Sequence, residues 1–265
     1  MRRLCLLCLL FIGGMIRAEV GSVIYLTSDH THLDPLYQME FWVETQSGVE
    51  PDWLARHPQL FCPVERGEIV PDQFEQYIWL RMQVEDLRQE SLQSWYFEAW
   101  GFDIEEIRFY RPLAGAGYIQ EEIGYLHPFG QRSIQHKNFQ FLLDIRPGEG
   151  KTYFLRIRRS FPRKFSFHLR TNEAFIAHAV NEYFFLGLYY GLLLLILCFS
   201  GFLLFRLRDR LYLHFGFLIL ATIWYSFCRD GLGFQFLWPG TPSLNLFIKQ
   251  AYAEFFLTIS TLAFC

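Results

Sequence analysis

Residues 184–205 read FFLGLYYGLLLLILCFSGFLLF, and this stretch decides how the rest of the chain is organised. It contains no charged residue. As a helix with a rise of about 1.5 Å per residue, it is long enough to cross a hydrocarbon core of about 30 Å. The sequence before it has the pattern of a soluble β-rich domain, whereas the sequence after it is mostly apolar. The stretch therefore predicts a protein held in a lipid bilayer by its second half.

Two further apolar runs, at 211–228 and 247–265, complete a predicted membrane domain over residues 183–265. Three arginines and one aspartate occupy the turn at 206–210, whereas the loop at 229–245 holds one arginine and one aspartate. The positive-inside rule then places the first turn in the cytoplasm and the N-terminal domain outside. Because the third run continues to the last residue, we expect this sequence to be the front part of a longer membrane protein.

Residues 1–18 have the pattern of a secretory signal peptide, with two arginines before the apolar run at 4–12 and a cleavage position after Ala18. Cys5 and Cys8 form a CxxC inside this leader, and we interpret them as apolar filler rather than a redox motif. Between the leader and the first span the sequence has a single cysteine, so the exported domain cannot form an internal disulfide.

The exported segment is acidic. Residues 19–182 contain 16 Lys and Arg against 24 Asp and Glu, a formal charge of −8. A nucleic-acid-binding domain needs clustered basic side chains to neutralise phosphates. The charge therefore argues against nucleic acid as a partner.

Apolar and polar residues alternate with period two from Val23 to Phe167, which predicts an antiparallel β-sandwich over residues 19–172. The clearest runs lie at 37–44 and 77–84. Runs at 139–145 and 153–157 flank an Arg-Pro-Gly-Glu-Gly turn, and we expect them to form a hairpin. Shorter strands are expected at 95–99, 104–110, 118–123 and 165–169.

Two segments break the strand pattern. Residues 49–72 contain four prolines, which predicts an irregular or partly helical insertion. Residues 173–182 form a polar link that leads directly into the first span. A stiff link would transmit motion of the exported domain to the membrane.

One strand face carries the best ligand-binding candidates. Tyr77, Trp79, Arg81 and Gln83 alternate along the run at 77–84 and so share a face. An aromatic ring beside hydrogen-bonding side chains suits a sugar, which stacks and donates hydroxyl groups. The alternative is that this face packs against a second sheet, with Arg81 paired inside.

The membrane part holds two further candidates. Gly187 and Gly191 form a GxxxG motif, which allows close helix packing either within the bundle or in a homodimer. His214 and Glu254 are ionisable residues in the spanning runs, and such residues normally face a bundle interior.

Signatures of catalysis are absent from the sequence. It contains no zinc-protease, nucleophile-elbow or phosphate-loop motif, and its one CxxC lies in the leader. The adjacent carboxylates at 105–106 and 121–122 point to opposite faces of a strand, so neither pair forms an acid/base couple by itself. We predict no catalytic residue, no metal and no cofactor.

Several short motifs occur in a recognisable order. They are WLR (79–81), DIEEIRFY (103–110), GYLHPFGQR (124–132), YFLRI (153–157), GLYYG (187–191), RDR (208–210) and DGLGFQFLWP (230–239). In this order the chain resembles the bacterial seven-transmembrane receptors with diverse intracellular signalling modules, together with their type 2 extracellular sensor domain.

The resemblance implies a jelly-roll-like sandwich in the periplasm, thought to bind carbohydrate-like ligands, and seven helices in the bacterial inner membrane. A kinase or cyclase output normally follows, but the sequence stops in its third span. The leading hypothesis is a receptor that senses a small-molecule or carbohydrate-like ligand. The alternatives are a membrane-tethered carbohydrate-binding module and, more remotely, a membrane enzyme that uses His214 and Glu254.

Overall fold

The computed structural model describes residues 23–45, 48–64, 76–89, 93–101, 104–115, 117–159, 165–248, 258–259 and 261–262. The signal peptide predicted at 1–18 lies outside these residues. Within them the strands are β1 (Val23–Leu26), β2 (His32–Leu33), β3 (Glu40–Val43), β4 (Cys62–Pro63), β5 (Ile78–Asp86), β6 (Trp95–Trp100), β7 (Ile104–Pro112), β8 (Tyr118–Ile123), β9 (Phe139–Leu143), β10 (Gly150–Arg159) and β11 (Ser166–Thr171). The helices are α1 (Pro51–Ala55), α2 (Asn172–Leu207), α3 (Arg210–Arg229) and α4 (Pro242–Phe247).

The strands form two sheets. The larger has the order β4-β3-β5-β10-β7-β8, with β1 added in parallel beside the second half of β5. The smaller has the order β2-β11-β6-β9. All pairings except that of β1 with β5 are antiparallel. The predicted fold class, an antiparallel β-sandwich followed by apolar helices, is confirmed.

An aromatic core joins the two sheets. Period-two alternation turns one face of each strand inward, where apolar side chains lose contact with water. Phe109 of the larger sheet stacks on Phe141 and Phe97 of the smaller one, with ring centroids 4.8 and 5.9 Å apart. These rings are fully buried.

Residues 139–145 and 153–157 do not form the expected hairpin. β9 pairs with β6 in the smaller sheet, whereas β10 pairs with β5 and β7 in the larger one. The Pro-Gly turn between them therefore crosses from sheet to sheet. Turn chemistry predicts that the chain reverses, and it does not tell which strand the returning segment joins.

The run at 37–44 is a strand only in its second half. A one-turn 3-10 helix, Leu36–Gln38, precedes β3, and the Tyr37 ring is 65% exposed. The preceding Pro35 adopts a helical backbone conformation, which starts this turn in place of an extended chain.

The insertion covers the outer face of the larger sheet. α1 and a 3-10 turn at Pro58–Leu60 occupy its first part. Leu54 and Phe61 from this segment form a second buried cluster with Trp79, Tyr110 and Phe154 of the sheet. The sheet is therefore buried on both faces where the insertion crosses it.

β11 continues without a break into α2. The Thr171 hydroxyl accepts a hydrogen bond from the Ala174 backbone N–H at 3.4 Å, which caps the helix. α2 is 36 residues long, about 54 Å at the usual rise, so it exceeds the hydrocarbon core and its first turns project beyond the membrane. The residues predicted as a polar link, 173–182, belong to this projecting part.

α2 and α3 form an antiparallel pair, and both are long and apolar enough to cross a membrane. Arg208 ends α2 in the left-handed conformation (φ 54°), and the Asp209 carboxylate accepts a hydrogen bond from the Leu211 N–H at 2.9 Å. The arginine-rich turn thus reverses the chain between the two helices. The third predicted span, at 247–265, lies largely outside the described residues.

Candidate coupling interface

The loop at 124–138, called the base loop here, joins β8 to β9 at the end of the sandwich that faces the helices. A Cβ atom at Gly124 would collide with the carbonyl oxygen of Glu105, so only glycine fits. Close approach at this point lets the Leu126 N–H donate to the same carbonyl at 3.1 Å. The base loop is therefore fixed against β7 where it begins.

A buried arginine organises the base loop. Arg132 is only 5% exposed, and its guanidinium donates to the carbonyl oxygens of His136 and Lys137 at 2.7 and 3.1 Å. The centre of the guanidinium lies 4.4 Å from the Phe129 ring and 4.5 Å from the Phe139 ring. Among the described residues no carboxylate pairs with it, so aromatic rings and carbonyl dipoles stabilise the charge.

Burial lowers the pKa of Arg132 to about 10. The group is consequently still charged at neutral pH. A buried charge without a counter-ion is costly unless its surroundings are fixed and polarisable. The position of the rings around Arg132 is therefore energetically important.

One of those rings comes from the membrane part of the chain. Residues 230–241, called the membrane loop here, follow α3 and include a π-helical turn, Gly233–Leu237. Phe234 in this turn is 1% exposed and packs against Tyr125 and Phe129, with ring centroids 5.6 and 5.7 Å apart. Its ring also lies 5.7 Å from the guanidinium of Arg132.

The membrane loop and the sandwich share one hydrophobic core. Cys228, Phe234 and Trp238 belong to the same buried cluster as the inward-facing residues of both sheets. The Phe129 N–H donates to the carbonyl oxygen of Pro239 at 2.8 Å, which adds a backbone link between the loops. The loop thus docks into the sandwich rather than lying beside it.

Tight packing within the membrane loop sets its shape. A Cβ atom at Gly233 would lie 2.5 Å from the Trp238 ring, so a larger residue would displace the indole. The Trp238 indole N–H donates to the side-chain oxygen of Asn245 at 3.3 Å. This bond connects the loop to α4.

Polar contacts connect both loops to α2. Lys137 forms an ion pair with Glu182 at 2.8 Å. The Tyr183 hydroxyl donates to the side-chain oxygen of Gln235 at 2.9 Å, and the Tyr190 hydroxyl to Asp230 at 2.8 Å; these contacts join α2 to the membrane loop.

His136 lies at the centre of this junction. Burial, followed by the nearby charges of Lys137, His178 and Arg132, lowers the pKa of His136 to about 4. A carboxylate oxygen of Glu182 lies 3.6 Å from its Nε2, but Lys137 already neutralises that carboxylate. The Asn138 N–H donates to Nδ1 at 3.2 Å, which fits a neutral ring.

The predicted ligand face lies elsewhere, on the outer side of the larger sheet. Trp79 has no exposed surface, because α1 and Phe61 cover it, and its indole N–H donates to Glu44 at 2.8 Å. Arg81 pairs with Glu40 and lies 5.3 Å from the Phe61 ring. As the alternative interpretation expected, the face is covered with Arg81 paired inside, although the cover is the insertion rather than a second sheet.

Tyr77 and Gln83, the other two members of the predicted face, are both partly exposed. The Arg156 guanidinium lies 3.4 Å from the Tyr77 ring and pairs with Glu44 at 2.7 Å. Ligand binding by this face stays a prediction, since stacking on Trp79 would require the cover to move.

An ion-pair network continues along the same face. Ligand atoms of Glu106, Glu122 and His127 lie within 4.8 Å of one another, as in a metal site. Nε of Arg108, however, lies 3.0 and 3.1 Å from the carboxylates of Glu106 and Glu122. The guanidinium occupies the place that a cation would take.

Of the two ionisable candidates in the spanning runs, only His214 is among the described residues. His214 is partly exposed on α3, and its Nδ1 lies 2.8 Å from the carbonyl oxygen of Arg210. Glu254 lies outside the described residues. Nothing described lies within 4 Å of a Cβ placed at Gly187 or Gly191, and α2 instead approaches α3 through Ser200 and Gly216. The packing role of the GxxxG motif stays a prediction.

Sequence reasoning missed the coupling interface as a site. Its two halves, GYLHPFGQR and DGLGFQFLWP, were recognised only as motifs of a resemblance. A signal was present, since both motifs combine glycines with aromatic residues where loops were expected. Their contact across more than 100 residues of sequence could not be read from periodicity.

Comparison with known proteins agrees with this architecture. The family model described as "7TMR-DISM extracellular 2" matches residues 37–171, and the one described as "7TM diverse intracellular signalling" matches residues 182–265. A search of curated proteins gave no match. The first match covers the sandwich and the second covers the helices and the membrane loop. The chain belongs to the family of membrane receptors that join an extracellular sensor domain to a seven-transmembrane region with diverse intracellular signalling, 7TMR-DISM.

Proposed function

We propose that the sandwich binds an extracytoplasmic ligand and relays binding to the helices through the coupling interface. The observation that carries this proposal is the insertion of Phe234, a residue of the membrane loop, into the core of the sandwich. A movement of the base loop must either carry the membrane loop with it or break the shared core. Packed interfaces of this kind switch between discrete arrangements rather than deform continuously.

Two routes lead from the sandwich into the membrane. β11 runs directly into α2, and the membrane loop runs into α3 and α4. A ligand that shifts the base loop relative to β11 would therefore change the position of α2 relative to α3. Ligand binding would act by favouring one of two helix arrangements, in proportion to its differential affinity for them.

The topology fits a receptor in a bacterial inner membrane with its sensor in the periplasm. The arginine-rich turn between α2 and α3 lies at the end of the pair opposite the sandwich, which is the cytoplasmic side by the positive-inside rule. The multi-pass arrangement and the location are part of the proposal.

We propose a small, carbohydrate-like molecule as the ligand, bound on the outer face of the larger sheet. Tyr77 and Gln83 supply an aromatic ring and an amide that are partly exposed, and the Arg156 guanidinium lies over one face of the ring, which leaves the other face for a ligand. Trp79 and Arg81 form the floor beneath the insertion. A ligand that engages them has to displace α1, which gives the binding event a structural consequence.

A ligand screen on the full chain in lipid nanodiscs tests the proposal. The isolated sandwich is a poor substitute, because removing the membrane loop would expose its shared core. Thermal shift with glycans and small metabolites should reveal a ligand, since saturation at 100 times Kd stabilises by about 2.7 kcal/mol. Tyr77→Ala should abolish the shift, whereas Tyr37→Ala, which removes an exposed ring, should retain it.

Hydrogen exchange of residues 230–241 then tests the relay. We expect ligand to change exchange in the membrane loop of the wild type. If the ligand binds and the loop does not respond, the protein is a tethered binding module. If no glycan or metabolite binds the folded chain, the proposed ligand class is wrong.

A further inference from the structure

A second cluster of side chains lies at the β2 edge of the smaller sheet, whereas the proposed ligand face is on the larger sheet. Here β2 pairs with β11, with Leu33 opposite Leu169 and His32 opposite Arg170. By the same register Asp34 stands opposite His168, and His32 is their diagonal neighbour. Leu169 is buried in the core, so the alternating His168 projects to the outer side.

Three potential ligand atoms converge at this edge. His168 Nδ1 lies 2.8 Å from a carboxylate oxygen of Asp34 and 3.2 Å from Nε2 of His32. All three atoms lie within 4.8 Å of one another. In a tetrahedral zinc site with bonds of about 2.0–2.1 Å, neighbouring ligand atoms are about 3.3 Å apart. Small side-chain movements would therefore reach that geometry.

We propose that His32, Asp34 and His168 bind a divalent transition metal, of which zinc is the best fit. Two imidazoles and one carboxylate suit zinc by donor type, and they leave a fourth position for water. This site is separate from the proposed ligand face and does not depend on it.

The contacts around His168 prepare it for this role. Its Nε2 lies 3.2 Å from the Ser166 hydroxyl, which can accept a hydrogen bond from an N–H at that position. Metal binding at Nδ1 shifts the ring proton to Nε2, and the hydroxyl then holds the ring in place. Hydrogen bonds of this kind orient metal-binding histidines in general.

The surrounding charges do not block the site. Arg170 faces His32 but forms an ion pair with Glu98. His178 of α2 also faces the cluster. The carboxylate of Asp34 supplies the negative charge.

The position of the proposed metal site connects it to the first spanning helix. His168 lies three residues before Thr171, the cap of α2. A metal there would join β2 to the strand that leads directly into the first spanning helix, so its occupancy would stiffen that connection.

The test uses the full chain in nanodiscs, purified with a tag that contains no histidine and stripped with a chelator. Zinc alone is titrated by calorimetry, and bound zinc is counted after dialysis. We expect about one zinc per chain. Asp34→Asn and His168→Gln should each weaken binding by about tenfold or more. Cobalt in place of zinc should give the visible absorption of a tetrahedral site.

The chain offers a matched control. His127→Ala removes the histidine of the other cluster, whose centre Arg108 fills, and should leave zinc affinity unchanged. Asp34 has a side chain that is 66% exposed, so its substitution should not impair folding. Equal zinc affinity in Asp34→Asn, His168→Gln and the wild type, or no zinc bound to the wild type, would overturn the proposal.

Discussion

The outer face of the larger sheet and the base loop stabilise their arginine side chains in different ways. On the outer face the arginines stand beside carboxylates, as Arg108 does with Glu106 and Glu122 and Arg156 does with Glu44. At the base Arg132 is held by aromatic rings and carbonyl oxygens. An arginine in direct contact with a counter-ion tolerates small movements of its surroundings, because its charge stays compensated. A buried charge inside an aromatic cage does not.

This difference suggests where the protein is sensitive to change. One ring of the cage, Phe234, belongs to the membrane part, so the stability of a charge in the sensor depends on the position of a membrane loop. A disturbance on the outer face would remain local unless it reached the base.

Phe234→Ala should have the largest effect. It removes a ring that is 1% exposed and leaves a cavity beside Arg132, which should lower the free energy of unfolding by about 3–5 kcal/mol. Thermal unfolding should then show the sandwich and the helices melting separately. The matched control is Phe236→Ala in the same turn, whose ring is 62% exposed and should matter little. Similar melting of the two variants would mean that the loop is not docked.

Arg132→Met compares the two kinds of arginine directly. The substitution leaves the carbonyl oxygens of His136 and Lys137 without their donor, which should cost about 1–3 kcal/mol. On the outer face, Arg158→Met removes a group that is 28% exposed and pairs with Glu105, and it should cost about 1 kcal/mol or less. Chemical denaturation of both variants measures the difference. A reversed order would contradict the contrast.

Acidification should destabilise the base loop, because His136 becomes protonated. Its pKa is about 4 in the folded protein and near 6.5 when unfolded, so the unfolded state binds more protons between these values. The stabilisation is complete above about pH 6.5 and is lost as the pH falls towards 4. The loss should be on the order of 1–3 kcal/mol.

The measurement is the melting temperature between pH 7 and pH 5, compared among variants. His136→Asn retains an acceptor for the Asn138 N–H and should show a shallower decline than the wild type. His57→Gln changes a histidine on the insertion, where Nδ1 lies 2.8 Å from the Trp53 carbonyl oxygen, and should follow the wild type. Parallel curves for His136→Asn and the wild type would remove His136 as the cause.

Much of the fold could be predicted because local periodicity determines it. Alternation places one face of each strand inward, and an uncharged run of 22 residues can hardly be anything but a spanning helix. Local periodicity does not determine which strands pair with one another. The turn at 146–150 is visible in the sequence, but whether it makes a hairpin or crosses between sheets depends on which strands compete for β9 and β10.

The candidate sites were harder to predict than the fold, because they depend still more on contacts between residues that are distant in sequence. Trp79 is a ligand candidate because it shares a strand face with Arg81 and Gln83, and nothing local indicates that the insertion covers it. Arg132 is one basic residue of the GYLHPFGQR motif, and Phe234, which completes the set of rings around it, lies more than 100 residues further along the chain. Functional geometry made of non-local contacts leaves little trace in a single sequence.

Gly187→Leu should have the smallest effect on the described structure and is informative for that reason. No described atom lies within 4 Å of a Cβ at this position, so the packing of α2 against α3 should change by less than about 0.5 kcal/mol. Gly216→Leu is the matched comparison, because its side chain would meet Ser200 at 3.5 Å and should separate the pair measurably. Crosslinking in nanodiscs reports both oligomeric state and helix distance. If Gly187→Leu alters either one, a further helix or a second copy packs against this face, and the GxxxG motif is a contact surface. If it alters neither, the face meets only lipid, and the two glycines have no packing role.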